Sequence, residues 1–219
     1  MSDTPWLLPN LASDTHEIVP QPAAKRLRHA PGVQAVLFDF DGTLTTREEI
    51  PGWRLFPDRG GFNRQGPDSS WLKERGFGGQ ERVAHLRAML CHLKRLGVQS
   101  HIVSYADRDV IQCALAILEI GDLFVDIAGL QDLGNFASKA SFIQSFIDQR
   151  GLKPSEVLFV DDQDKHIINA TGLCSTFKCR GLGLAAAEMD CIVQLCKGHT
   201  VEPAPALDGC NETDENCEK

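Results

Sequence analysis

Two aspartates, Asp39 and Asp41, close the apolar run Val36-Leu37-Phe38 in the stretch VLFDFDGTLT. Side chains at i and i+2 of a strand point to the same side. Like charges so placed repel unless a cation sits between them or one carboxyl keeps its proton. A metal ion, a proton-transfer reaction, or both would account for the pair. Gly42 then lets the backbone turn tightly, so that amides can approach an anion, and Thr43 follows. Other polar residues end or follow apolar stretches: Ser104 in HIVSYAD, Lys139 in FASKASFI, and Asp161-Asp162 in VLFVDD. A carboxylate is a competent nucleophile toward phosphorus when a metal offsets its repulsion with the phosphoryl oxygens. A hydroxyl and an ammonium can hold the remaining oxygens.

The elements that must position these groups alternate between strand and helix. Apart from Gln34, the run 33–38 is apolar, as in a strand covered on both faces. Val83, Leu86, Met89, Leu90, Leu93 and Leu96 recur at helical steps over 81–96, and Gly97 stops them. A strand over 98–103, a helix over 107–119 and a short strand over 124–127 follow. A helix over 136–150, closed by Gly151, leads to a buried strand over 157–160. A short helix, a strand near 175–177 and a last helix over 185–196 complete the pattern. Strands separated by helices imply an α/β fold: a three-layer, doubly wound parallel sheet. Ligands of such sheets bind at the carboxyl ends of the strands, where Asp39, Asp41, Ser104 and Asp161-Asp162 fall.

DFDGTLT, then Ser104 after an apolar strand, then Lys139, then an apolar strand ending in DD, resembles the ordered motif set of the haloacid dehalogenase superfamily. The resemblance spans about residues 33–197 and implies that superfamily's Rossmann-like fold. It implies a Mg²⁺-dependent phosphatase working through an aspartyl-phosphate. Asp39 would attack phosphorus, and Asp41 would protonate the leaving oxygen and then activate water. Ser104 and Lys139 would hold phosphoryl oxygens, with Gly42, Thr43 and Tyr105 at the substrate. The resemblance assigns Mg²⁺ to the Asp39 carboxylate, the Asp41 backbone carbonyl and an acid of the last motif. The register favours Asp162, with Asp161 as the alternative. The family often has Asp or Asn where His166 stands; we read His166 as an ordinary helix residue rather than a group that tunes the metal.

A phosphorylated receiver domain uses similar groups, but its metal acids end the first strand and its acceptor lies on a middle one, an order that does not match. A binding module that had kept only the fold would lack a catalytic group, and none is lacking. Asp41 suits phosphoryl transfer and argues against dehalogenation, which leaves phosphotransfer or phosphomutation as the second reading. Cys174, Cys179, Cys191 and Cys196 lack the tight spacing of structural zinc and read as ordinary small residues.

The 219 residues are 42% hydrophobic and 24% charged, enough for one core with tails, and no run is long enough to span a bilayer. Eight cysteines without regular spacing, and no secretory start, suit an intracellular chain. The net charge of -8 argues against a nucleic-acid-coating surface. Residues 1–32 read as a flexible arm; its Lys25-Arg26-Leu27-Arg28 cluster is a solvated charge run in preference to a nuclear-import signal. Residues 201–219 read as a disordered acidic tail, and 33–200 as the catalytic domain. Within it, 44–79 shows no sustained helical period and reads as a loop or flap. Arg47, Arg54, Arg59, Arg64 and Arg75 would make it cationic, with Trp53, Phe56, Phe62 and Trp71 as stacking surface. Little room remains between Ser104 and Lys139, so no large cap domain is expected. An open cleft favours a bulky phosphoester, such as a phosphoprotein.

Overall fold

In the computed structural model, residues 32–55 and 68–198 are described. The arm, the acidic tail, Lys25–Arg28 and the middle of the expected flap, with Arg59, Phe56, Phe62 and Arg64, lie outside them. Among the described residues the helices are α1 (Gly52–Leu55), α2 (Ser69–Trp71), α3 (Gln80–Arg95), α4 (Arg108–Ile117), α5 (Leu130–Leu133), α6 (Lys139–Arg150), α7 (Asp164–Ala170) and α8 (Ala186–Cys196). The strands are β1 (Ala35–Phe38), β2 (Gln99–Val103), β3 (Asp126–Ala128), β4 (Val157–Asp161) and β5 (Ser175–Lys178). They form one sheet in the order β3-β2-β1-β4-β5, with every pairing parallel.

β1 is central and its four residues are all buried. Val36 and Phe38 enter the larger core with α3, α4 and α8, whereas Ala35 and Leu37 enter a second core with α6 and α7. That alternation follows from the strand period of two and makes the three layers expected from the sequence. The chain runs from β1 outward to β2 and β3, then crosses back to pair β4 with β1. The strand order therefore reverses beside β1, and a crevice opens there at the carboxyl ends.

Capping side chains correct several expected boundaries. The helix expected from 136 begins at Lys139, because the Ser138 hydroxyl accepts the Ser141 N–H at 3.2 Å. It ends as expected at Gly151, whose φ of 60° closes the last turn. The helix expected from 107 is capped by the Asp107 side chain, which accepts the Asp109 N–H. The short strand expected over 124–127 lies at Asp126–Ala128; Phe124 is instead a buried core residue set edge-on to Phe38.

The flanks of the expected flap are packed. Ile50, Leu55, Leu72 and Phe77 are buried in the larger core, and Phe77 meets Phe40 edge to face. The Gly76-Phe77-Gly78-Gly79 stretch, which looks like flexible loop in the sequence, is thus anchored by its aromatic residue. Trp71 has the guanidinium of Arg54 4.4 Å from its ring centre and that of Arg47 at 5.9 Å. Between Ser104 and Lys139 stand α4, β3 and α5, and among the described residues no further domain is inserted there.

Candidate active site

Three elements meet in one buried clasp. The Asp39 N–H donates to the Val160 carbonyl at 2.8 Å, which ties the end of β1 to β4. Lys139, the first residue of α6, donates to Asp39 Oδ1 and to Asp161 Oδ2, each at 2.7 Å. Asp39, Asp161 and Lys139 are all buried. The second oxygen of Asp161 accepts the Gln163 N–H at 2.8 Å. Both Asp161 oxygens are thereby engaged in orienting the lysine and the start of the next loop.

The neighbouring Asp162 is differently placed. One of its oxygens accepts from the Thr43 hydroxyl at 3.4 Å. A Cβ at Gly42 would fall 2.6 Å from the other. Gly42 also has a φ of 70°, so the turn needs glycine both for its backbone and for the approach of Asp162. The Gly42 N–H is spent within the loop, on the Arg47 carbonyl at 2.6 Å and the Thr45 hydroxyl at 3.0 Å. The Gly42 N–H is therefore not itself among the amides free to approach an anion. Thr43 is buried and steadies Asp162.

The cluster gathers four carboxylates around one ammonium. Burial raises the pKa of Asp39 against the pull of Lys139, and it raises those of Asp161 and Asp162 as well. Burial alone would lower the Lys139 pKa, but Asp39 and Asp161 outweigh it and hold it above the ordinary value. Asp41 is pushed up to about 7 by burial, then by Asp39 and Glu49. Its Oδ1 is buried without a hydrogen-bond partner. Negative charge thus exceeds positive in a site shielded from water. Asp39, Asp161 and Asp162 each offer an oxygen within 4.8 Å of the others, and among the described residues they form the one such group. An oxygen-only set with surplus negative charge fits Mg²⁺.

Ser104 follows β2, is buried, and its hydroxyl accepts the Ala106 N–H at 3.3 Å. Tyr105 is exposed, with its ring centre 5.6 Å from the Lys139 ammonium and 5.7 Å from the His166 ring. His166 is buried, and burial, then Lys139, lowers its pKa to about 4. It is a neutral imidazole on α7, behind Tyr105.

Sequence reasoning does not flag Arg82. Its guanidinium donates to the carbonyls of Leu44 at 2.8 Å, Leu184 at 3.0 Å, Phe77 at 3.1 Å and Thr43 at 3.2 Å. Burial lowers its pKa to about 10, still well above neutrality. The signal was present: residue 82 stands one turn before Leu86 and in line with Met89 and Leu93, two and three turns on, on the face of α3 where an apolar residue belongs. The segment Gly183-Leu184 is also unforeseen; its N–H groups donate to the carbonyls of Gly42 at 2.6 Å and Thr43 at 2.9 Å.

The family model for haloacid dehalogenase-like hydrolases matches residues 78–173, a span holding Ser104, Tyr105, Lys139, Asp161 and Asp162. No curated protein matches the sequence. Among solved structures, a putative haloacid dehalogenase-like hydrolase from Bacteroides fragilis is 20% identical, with 73% of this chain and 93% of that one covered and a TM-score of 0.46. A predicted phosphoglycolate phosphatase from Haemophilus somnus is 18% identical, with 72% and 91% covered and a TM-score of 0.47. An L-2-haloacid dehalogenase from Xanthobacter autotrophicus is 18% identical, with 67% and 77% covered and a TM-score of 0.41. No shared activity follows from identities this low.

Proposed function

We propose that this chain is a hydrolase of the haloacid dehalogenase superfamily and a phosphatase that cleaves phosphomonoesters through an aspartyl-phosphate. The observation that carries the reading is Asp41. It is a second acid two residues from Asp39, with a pKa raised to about 7 by burial, and that is where a group exchanging protons at neutral pH works best. A dehalogenase has no leaving alkoxide to protonate, and it would have no use for this residue.

Asp39 Oδ1 is held by Lys139, which leaves the other oxygen of the nucleophile to bond to phosphorus. As that bond forms, the bond from phosphorus to the ester oxygen breaks, and the Asp41 carboxyl gives that oxygen its proton. In the second step the Asp41 carboxylate takes a proton from water, whose oxygen bonds to phosphorus while the bond to Asp39 breaks. Inorganic phosphate leaves and both acids are restored. Lys139 stays charged throughout and offsets negative charge as it builds at the phosphoryl group. Ser104 donates its hydroxyl proton to a phosphoryl oxygen.

Asp39 and Asp162 would hold Mg²⁺, with Asp161 occupied in placing Lys139. When bound, the ion offsets the repulsion between the nucleophile and the phosphoryl oxygens. We extend the reading to a bulky phosphoester such as a phosphoprotein. What supports the extension is the lack of an inserted domain between Ser104 and Lys139 among the described residues, with Tyr105 exposed beside Lys139. The test is a panel of phosphopeptides, metabolite phosphates and 2-chloropropionate assayed with Mg²⁺ and with EDTA. Phosphate release that stops on chelation, with no halide release, is expected. Halide release without phosphate release would overturn the reading.

A further inference from the structure

The segment 179–185 joins β5 to α8 and runs beside the turn at Gly42-Thr43. Its middle is bonded to that turn, from the Gly183 N–H to the Gly42 carbonyl at 2.6 Å and from the Leu184 N–H to the Thr43 carbonyl at 2.9 Å. At its start the Cys179 N–H donates to the Asp161 carbonyl at 3.0 Å. One carboxylate holds both ends of the stretch between. Glu188 Oε1 accepts the Arg180 N–H and Oε2 accepts the Ala185 N–H, each at 2.9 Å. The bond to Ala185 is the ordinary work of a glutamate at the third position of a helix. The bond to Arg180 is not, because it reaches back eight residues, to the stretch that leaves β5. Gly183 is buried with a φ of 81°, and a Cβ there would fall 2.6 Å from an Arg82 nitrogen and 2.7 Å from the Thr45 carbonyl oxygen. Glycine is needed for the segment to lie this close.

We propose that Glu188 is a positioning residue of the active site: by closing 180–185 into a brace, it holds the turn on which Asp162 rests. Gly42 leaves that turn a wide choice of φ and ψ, so its shape has to be imposed from outside. Each peptide unit is planar, so a bonded carbonyl fixes the tilt of the whole unit. The Gly42 N–H is set by Arg47 and Thr45, and the next two peptide units are set by the brace through the Gly42 and Thr43 carbonyls. Arg82 bonds to the carbonyls of Thr43 and Leu184 and so ties brace to turn. Asp162 depends on the result. Thr43 is the one side chain among the described residues that hydrogen-bonds to it, and Gly42 leaves room for its other oxygen. A brace slackened at either end lets the turn drift, and the proposed Mg²⁺ ligand drifts with it. The consequence for turnover rests on the phosphatase reading; the contact between brace and turn does not.

The test compares the full-length protein with Glu188→Gln, whose amide keeps one acceptor oxygen but cannot hold both ends. Hydrogen exchange at the Gly183 and Leu184 amides is followed by NMR without metal or substrate. Mg²⁺ affinity is then measured by calorimetry, and kcat and KM with p-nitrophenyl phosphate. In Glu188→Gln the two amides are expected to exchange about tenfold faster. Mg²⁺ should bind about five- to tenfold more weakly, and kcat should fall about tenfold while KM changes less than about twofold. Gly183→Ala alters no charge, so the same pattern there separates position from the loss of a negative charge. If Gly183→Ala fails to fold, Glu188→Gln decides alone. A helix cap and nothing more predicts a lower melting temperature, with exchange at Gly183 and Leu184, Mg²⁺ affinity and kcat all unchanged. That result overturns the proposal. So does a Glu188→Gln protein whose two amides exchange faster while Mg²⁺ affinity and kcat both hold. Faster exchange and weaker Mg²⁺ binding in a protein that releases no phosphate would overturn the phosphatase reading and leave this proposal standing.

Discussion

The Lys139 ammonium lies 2.7 Å from Asp39 Oδ1 in a site where neither side chain is more than 4% exposed. The same nitrogen reaches Asp161 at 2.7 Å. Removing the cation from between two buried carboxylates leaves both uncompensated. Lys139→Met is expected to lower stability by about 3–5 kcal/mol at pH 8. The loss should shrink as pH falls, because the two acids can then fold protonated. Urea unfolding at pH 5 and pH 8 checks this. Turnover should fall strongly at both values.

Gly42→Ala puts a methyl group 2.6 Å from Asp162 Oδ2 and forces a φ of 70° on a residue with a Cβ. The backbone term alone costs about 1–2 kcal/mol. The displaced Asp162 should also weaken Mg²⁺ binding, by calorimetry on the folded protein, more than Ser104→Ala does. Equal metal affinity in the two variants would remove Asp162 from the proposed ligand set.

Asp41 supplies a pH signature. Its pKa is about 7 folded, against an ordinary value of 3.8. Between those values the folded state binds more protons than the unfolded chain, so this group makes stability fall as pH rises through that window. Below it the penalty is absent. Asp41→Asn removes the penalty and should raise the melting temperature at pH 8 in EDTA, by an amount worth about 2 kcal/mol after screening. At pH 3.5 the gain should vanish. Thermal melts of both proteins across pH 3.5–8 give the comparison.

Arg82→Lys tests the support beneath the acids. One ammonium cannot reach the four carbonyls that the guanidinium satisfies. A loss of about 2–3 kcal/mol is expected by chemical denaturation, with kcat falling more than KM rises. A variant with normal stability and kcat would show that the loop holds itself.

The sheet was legible because its strands are short apolar runs and its helices carry clear periods. Asp39, Lys139 and Asp161 were legible because order along the chain and the carboxyl-end rule both point to one edge. The division of labour between Asp161 and Asp162 was not, since it depends on which oxygens Lys139 and Gln163 occupy. Arg82 was hidden because a single charge on an apolar helix face does not reveal which carbonyls it will meet. Phe77 sits among glycines that suggest a free loop, and only the packing against Phe40 shows otherwise. His166 faces Tyr105 from another element, a contact that no local spacing encodes.

The central claim is that Asp39 bonds to phosphorus and Asp41 completes the turnover. Its most direct measurement is mass spectrometry of acid-quenched Asp41→Asn and Asp39→Asn proteins after incubation with Mg²⁺ and p-nitrophenyl phosphate. The account predicts a hydroxylamine-sensitive phosphoryl adduct on Asp39 in the Asp41→Asn protein. It predicts neither an adduct nor turnover in a folded Asp39→Asn protein. Turnover that persists in Asp39→Asn, or an adduct on a residue other than Asp39, would contradict it.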